Sequence, residues 1–257
     1  MGSTDSRRGS DYEQRTKTVL GQLATLAVVV VSIVGMTAGV AAADVQHQVQ
    51  QQETNGTYAV VQGEDCTEIS PLYGNESVKS FYDYRSPIPE NPSTNQTGRS
   101  YSSKGTIALQ QPDTSSFFLY EDSDGNLSLV FLHGSTGNAS DGGAATFTIA
   151  GLPEDGNWTV KDDSYDGKHN YDSWREADGV HRVDWTWGES KTDGGAYTGL
   201  GEEFTVTIDP AFNTDAELYG QQYNGTIRYW TAISNGQATY DRTSLTAEQV
   251  TITSEGC

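Results

Sequence analysis

Hydrophobic positions follow two regimes along this chain. From Leu23 to Ala43 they form a run of 21 residues without a charge, centred on Leu26-Ala-Val-Val-Val-Val-Ser-Ile-Val34. After Tyr58 they come in short bursts punctuated by Gly, Asp and Asn. The first regime predicts a helix of roughly 30 Å, the thickness of a bilayer's hydrocarbon core. The second predicts strands at Tyr58–Gln62, Gly105–Leu109, Ser116–Tyr120, Leu127–His133, Ala145–Ile149, Trp158–Lys161, Val180–Trp187, Phe204–Ile208, Thr226–Ile233 and Gln249–Thr253. Phe147 and Ile149 alternate with Thr146 and Thr148, and Phe204, Val206 and Ile208 with Thr205 and Thr207, as in half-buried strands. Phe117-Phe-Leu119 and Leu129-Val-Phe-Leu132 are continuous, which predicts central strands covered on both faces. Asp122-Ser-Asp-Gly-Asn126 between them is a hairpin turn.

Two short helices are expected. Val78, Phe81 and Tyr82 share a helical face within Asn75–Tyr84, with Asn75 as cap, and Asn213–Gly220 places Asp215 and Glu217 in a first turn capped by Asn213. The echo between Asp141-Gly-Gly-Ala144 and Asp193-Gly-Gly-Ala196 reads as a recurring hairpin loop, although the flanking residues do not align as a repeat. The fold class expected is mainly β: an antiparallel β-sandwich with one or two short helices, preceded by an N-terminal hydrophobic helix. The chain divides into a basic cytoplasmic leader (1–18), a transmembrane helix or signal peptide (19–43), a polar Gln-rich linker (44–57) and an acidic extracellular β-sandwich domain (58–257). Within that domain the Pro-rich stretch Ser86–Ser103 reads as a long surface loop.

Arg7, Arg8, Arg15 and Lys17 precede the apolar run, and the positive-inside tendency keeps that end in the cytoplasm, so the remainder is exported. Ala41 and Ala43 offer a signal-peptidase pattern, whereas the length of the run suits an uncleaved anchor. Both readings stand, giving a membrane-anchored or a secreted protein at the cell surface. Up to Ala43 there are four basic and three acidic residues, which leaves 11 basic and 32 acidic residues in the exported part. Such a field repels nucleic acid, and no basic stripe offsets it. Self-repulsion of this size destabilises a compact domain unless salt screens it, which reads as adaptation to a saline milieu. Five Trp and fourteen Tyr in the whole chain argue against a disordered acidic tail.

Cys66 and Cys257 are the only cysteines, and an even count in an exported chain predicts a disulfide between the start and the end of the folded domain. Seven Asn-x-Ser/Thr sequons, at Asn55, Asn75, Asn95, Asn126, Asn138, Asn157 and Asn224, are candidate glycosylation sites.

Calcium is the one candidate cofactor, through hard oxygen ligands at Asp162, Asp163, Asp166 and Asp172, with a smaller cluster at Asp122 and Asp124. The spacing is not that of an EF-hand, and clustered Asp in turns is also the background of so acidic a chain. His47, His133, His169 and His181 are too scattered for a zinc signature. His133-Gly-Ser-Thr-Gly137 resembles a nucleophile elbow, but its first Gly is one position too close to the Ser and no helix follows. Trp185 and Trp187 share a strand face; they are a candidate carbohydrate-stacking pair if exposed and core residues if not. No residue earns a catalytic label.

Cys66-Thr-Glu68, Phe81-Tyr-Asp-Tyr-Arg85, Gly151-Leu-Pro-Glu-Asp-Gly156 with Trp158 and Asp162-Asp163, Asp184-Trp-Thr-Trp187 with Thr192-Asp-Gly-Gly-Ala196, Ile208-Asp-Pro-Ala-Phe-Asn213 and the terminal Cys257 resemble exported or membrane-anchored surface proteins of halophilic archaea whose function is not established. The resemblance covers nearly all of the chain after residue 60. It implies an extracellular domain in a hypersaline setting with paired cysteines, and it implies no catalytic residue. The function expected is a non-enzymatic, salt-adapted surface or secreted β-domain with a structural or interaction role at the envelope, its partner an envelope protein or glycan. An extracellular hydrolase acting on polysaccharide or peptide through carboxylates, or a calcium- or carbohydrate-binding module, are the alternatives.

Overall fold

The computed structural model describes residues 58–85, 102–137, 140–165, 170–236 and 239–257. The apolar run, the linker, most of the Pro-rich loop, Asp166, His47, His169 and the sequons at Asn55, Asn95 and Asn138 lie outside the described residues. Among the described residues no helix is long and apolar enough to cross a membrane.

Among the described residues sixteen strands form two large sheets and one short two-stranded sheet. In chain order they are β1 (Tyr58–Gln62), β2 (Asp65–Ile69), β3 (Leu72–Tyr73), β4 (Tyr84–Arg85), β5 (Ser102–Ser103), β6 (Thr114–Glu121), β7 (Leu127–Gly134) and β8 (Gly143–Ala150). There follow β9 (Asn157–Lys161), β10 (Ser173–Ala177), β11 (Val180–Trp187), β12 (Thr192–Thr198), β13 (Thr205–Phe212), β14 (Tyr229–Asn235), β15 (Tyr240–Leu245) and β16 (Val250–Thr253). The first sheet runs β10-β11-β8-β13-β16-β1-β2 and is antiparallel throughout. The second runs β15-β14-β6-β7-β12-β9, and it is mixed rather than antiparallel because β14 and β3 both pair with β6 in parallel.

Inward residues of both sheets make one core. Phe131 of the second sheet meets Phe147 of the first edge-on at 5.5 Å, and Trp185 and Trp230 fill the space around them. Each such side chain, once buried, contributes roughly 1.5–3 kcal/mol. The outer face of the second sheet carries another apolar layer, with Phe118, Tyr120, Val130 and Leu132 under the helix α1 (Val78–Tyr82). Every residue from Thr114 to Tyr120 and from Leu127 to Gly134 is therefore buried, which explains the continuous apolar runs of β6 and β7. Their hairpin closes at Asp122, whose carboxylate accepts the backbone N–H groups of Asp124 and Asn126, with Gly125 at φ 80°.

Several expected elements change. The first helix is shorter, and Ser77 rather than Asn75 caps it, its Oγ accepting the Ser80 N–H. Gly105–Leu109 is not a strand; a single 3-10 turn (Ile107–Leu109) stands there, and Gly105 crosses so near the end of α1 that a Cβ would lie 1.5 Å from the Phe81 carbonyl oxygen. The second helix reduces to a 3-10 turn at Asn213–Asp215. Asn213 has φ 56° and does not cap it; its side-chain amide instead clamps both backbone groups of Ile227. Asp193-Gly-Gly is no hairpin loop but the interior of β12, between β7 and β9, so the echo marks no duplicated element. There Gly195 is required by close approach, since a Cβ would sit 2.8 Å from the Trp174 ring and 2.9 Å from the Val160 carbonyl.

Candidate functional site

The strands β9 and β10 are edge strands of opposite sheets, so the chain between Asp162 and Asp172 passes from one sheet to the other. Aromatic rings close the sandwich beneath this crossing: Trp158 meets Trp174 edge-on at 4.9 Å, and Trp174 meets Trp185 at 5.5 Å. Asp162 follows the last residue of β9, Asp172 precedes the first of β10, and Asp193 enters from the start of β12. Asp162 and Asp193 are fully buried, as is the Oδ2 atom of Asp172.

Each carboxylate is satisfied on one oxygen only. The Tyr82 hydroxyl donates to Asp162 Oδ2 at 2.9 Å, the Thr186 N–H to Asp172 Oδ1 at 3.0 Å, and the Gly194 N–H to Asp193 Oδ1 at 2.7 Å. Asp162 Oδ1, Asp172 Oδ2 and Asp193 Oδ2 are buried without a donor. Burial raises the pKa of all three well above the ordinary carboxylate range. The charges of Asp193 and Asp163 raise Asp162 and Asp172 further, and that of Asp163 raises Asp193. The bonds from Tyr82, Thr186 and Gly194 oppose these shifts without cancelling them. Tyr82 is pushed up in turn by its own burial and by the neighbouring Asp162 and Asp193.

Asp184 shows the contrast. It is equally buried, on β11, but Arg175 and Arg182 ion-pair with it and the Thr146 hydroxyl donates to it at 2.8 Å. Among the described residues no Lys or Arg pairs with Asp162, Asp172 or Asp193. Nor, among the described residues, does any group of three or more His, Cys, Asp or Glu side chains stand so that it could hold a metal ion.

The structure thus brings together Asp162 and Asp172 of the expected calcium set and adds Asp193, which sequence spacing missed because it arrives from 21 positions downstream of Asp172 on another strand. Asp163 stands beside them at φ 52° and accepts the Tyr84 hydroxyl at 2.5 Å. The Asp122 and Asp124 pair is a turn: both Asp122 oxygens accept from the Asn126 side chain. Trp185 and Trp187 are core residues, 0% and 3% exposed, so neither offers a ring face to a sugar. His133 is fully buried with its Nδ1 2.8 Å from the Oγ of Ser115, not of Ser135, whose own Oγ accepts the Gly137 N–H in a turn, so the serine of the elbow-like stretch does not meet the histidine. The described sequon residues Asn75, Asn126, Asn157 and Asn224 are all exposed.

A second feature lies along the same open side of the sandwich. A groove of about 490 Å³ is lined by Trp158, Lys161, Glu176, His181 and Tyr197, with Glu154 also on its wall. The Trp158 indole N–H donates to His181 Nδ1 at 3.3 Å, and Glu176 stands 3.6 Å from the same nitrogen. Burial lowers the His181 pKa, against the pull of Glu176 and with the help of Lys161. No family model, curated protein or solved structure matches the chain.

Proposed function

We propose that this protein is an exported, salt-adapted and non-enzymatic β-domain with a structural or interaction role at the outer face of the cell envelope. The bond between Cys66 and Cys257 carries this reading, with Cα atoms 5.8 Å apart and a sequence separation of 191. Disulfides persist in oxidising compartments outside the cytoplasm. A sandwich whose two ends are clasped in this way suits exposure to an unbuffered exterior. The preponderance of carboxylates supports a saline setting, where at molar salt the Debye length falls to about 3 Å and surface repulsion fades. Intact-mass measurement on protein from its native source tests the proposal. It is expected to show both cysteines oxidised, together with glycan mass or loss of the first 43 residues. A reduced, unprocessed chain that stays folded in dilute buffer refutes it.

The groove beside Trp158 favours a second reading, a saccharide-binding module or a hydrolase using Glu154 and Glu176. Retention on insoluble polysaccharide, or release of reducing sugar, that disappears in Glu176→Gln while the melting temperature holds would establish it. Absence of both activities in the wild type removes it.

A further inference from the structure

We infer that the groove on the open side of the sandwich is the seat of the protein's own N-linked glycan, attached at Asn157. The inference rests on the export argued above, and it names the saccharide that the groove takes. Asn157 is the first residue of β9 and begins the sequon Asn157-Trp158-Thr159. It is exposed, and it lines the groove of about 490 Å³ beside Trp158. The register of β9 on β12 shifts between Ala196 and Tyr197, which bulges the strand at Thr159, and the Asn157 Nδ2 stands 3.5 Å from the Thr159 Oγ1. The acceptor amide and the hydroxyl of the sequon thus lie side by side on an edge strand. The other described sequons are placed differently. Asn126 spends its Nδ2 on both oxygens of Asp122. Asn75 lines a pocket of about 250 Å³ that is walled by Glu121, Asp122 and Asp124, and Asn224 lines neither space.

Attachment is a group transfer. The Asn157 amide nitrogen bonds to the anomeric carbon of a glycosyl phosphate donor, the bond from that carbon to the phosphate oxygen breaks, the phosphate leaves with the electron pair, and the amide gives one proton to a base of the transferase. The first sugar then stands at the mouth of the groove. Trp158 and Tyr197, edge-on at 5.5 Å, lie with His181 along it, and Glu154, Lys161 and Glu176 ring them with acceptors and a donor. A pyranose, with an apolar C–H face and a rim of hydroxyls, matches a groove that is aromatic within and polar at its walls. Trp158 belongs to the second sheet and Glu176 and His181 to the first, so a glycan seated here spans the open side and shields the edges of β9 and β10.

The test uses the full-length protein from its native source. Peptide mapping by mass spectrometry is expected to find glycan mass on Asn157. Asn157→Gln is expected to melt about 2–4 °C lower, the shift that one stacking contact makes in a domain of this size. Amide exchange at Val180 and His181, on the opposite sheet, is expected to quicken roughly fivefold in the same variant. Asn224→Gln is expected to change neither property. A bare Asn157 in a chain that is otherwise oxidised and processed overturns the inference and leaves export standing, whereas a reduced, unprocessed chain removes both. A glycan on Asn157 whose loss alters neither melting nor exchange also overturns it, because that glycan hangs free of the groove. So does retention of the glycosylated wild type on insoluble polysaccharide that Glu176→Gln abolishes, because the groove is then open to outside sugar. Should Asn157→Gln fail to fold, wild-type protein from a host without the transferase supplies the bare form for the same two measurements.

Discussion

Replacing Cys66 and Cys257 together by Ser removes the one covalent link between the first β-hairpin and the last residue. Val61 pairs with Cys66 on one side and with Thr251 on the other, so β1 bridges the strand that carries one cysteine and the strand that leads to the other. Both cysteines are exposed, so the substitution leaves no cavity, and its effect falls on the unfolded chain. With a sequence separation of 191 between the cysteines, loop-closure entropy sets the destabilisation at about 5 kcal/mol in the chain-entropy account. The assay is guanidinium unfolding of the double variant and the wild type in the same salt, followed by tryptophan fluorescence, with rates as well as midpoints. If β1 and β16 have already zipped in the transition state, the loss falls on the folding rate; if they dock late, it falls on the unfolding rate. A loss below about 1 kcal/mol with unchanged m-value would refute the reasoning, because it would mean that the unfolded ends stay close without the bond.

Other expectations are narrower. His133 is fully buried and its pKa is lowered by that burial to about 3, against an ordinary value near 6.5. The unfolded chain therefore binds the extra proton first, so stability is full above pH 6.5 and falls as the pH drops towards 3. Relative to His133→Gln, the wild type is expected to lose about 2 kcal/mol more between pH 6.5 and pH 4.5 in chemical denaturation; parallel curves would disprove the shift. Phe147→Ala removes the ring that touches Phe131, Trp185 and Trp230, and is expected to cost about 3–5 kcal/mol in the same experiment. Gly194→Ala places a Cβ at φ 144° and 2.1 Å from the Phe131 carbonyl oxygen, so a loss of more than about 1 kcal/mol is expected, whereas Gly179→Ala, with open space around it, tests the cost of positive φ alone.

The strands readable in the sequence are those whose apolar residues face a core. Val180–Trp187 and Tyr58–Gln62 have the bounds that the punctuated apolar runs predict, and β6 and β7 are covered on both faces as their unbroken runs require. Apart from the two-residue strands β3, β4 and β5, the strands that escaped are of two kinds. β2, β10 and β15 are polar edge strands held by backbone pairing, and no side-chain period announces them. β12 is interior, but its Gly194 and Gly195 mimic a turn; they are there because Tyr82 and Trp174 press on the backbone from either face. The candidate site was half legible for the same reason. Asp162 and Asp172 flank one stretch of sequence, whereas Asp193 joins them only through sheet pairing that no local pattern encodes.

The surface and the buried acids pose one electrostatic problem at two depths, and they demand different answers. Mobile ions quiet exposed carboxylates because they can reach them. They cannot quiet the fully buried Asp162 and Asp193 or the buried oxygen of Asp172, whose repulsion a low local dielectric strengthens. With 15 basic residues against 35 acidic ones, the chain has few internal cations to place, and it sets Arg175 and Arg182 around Asp184. Added potassium chloride is therefore expected to raise the melting temperature of wild type and Asp193→Asn by the same amount. If potassium chloride abolished the difference between the two proteins, the buried cluster would be open to screening, and the separation of a salt-quieted surface from an unscreened interior would fail.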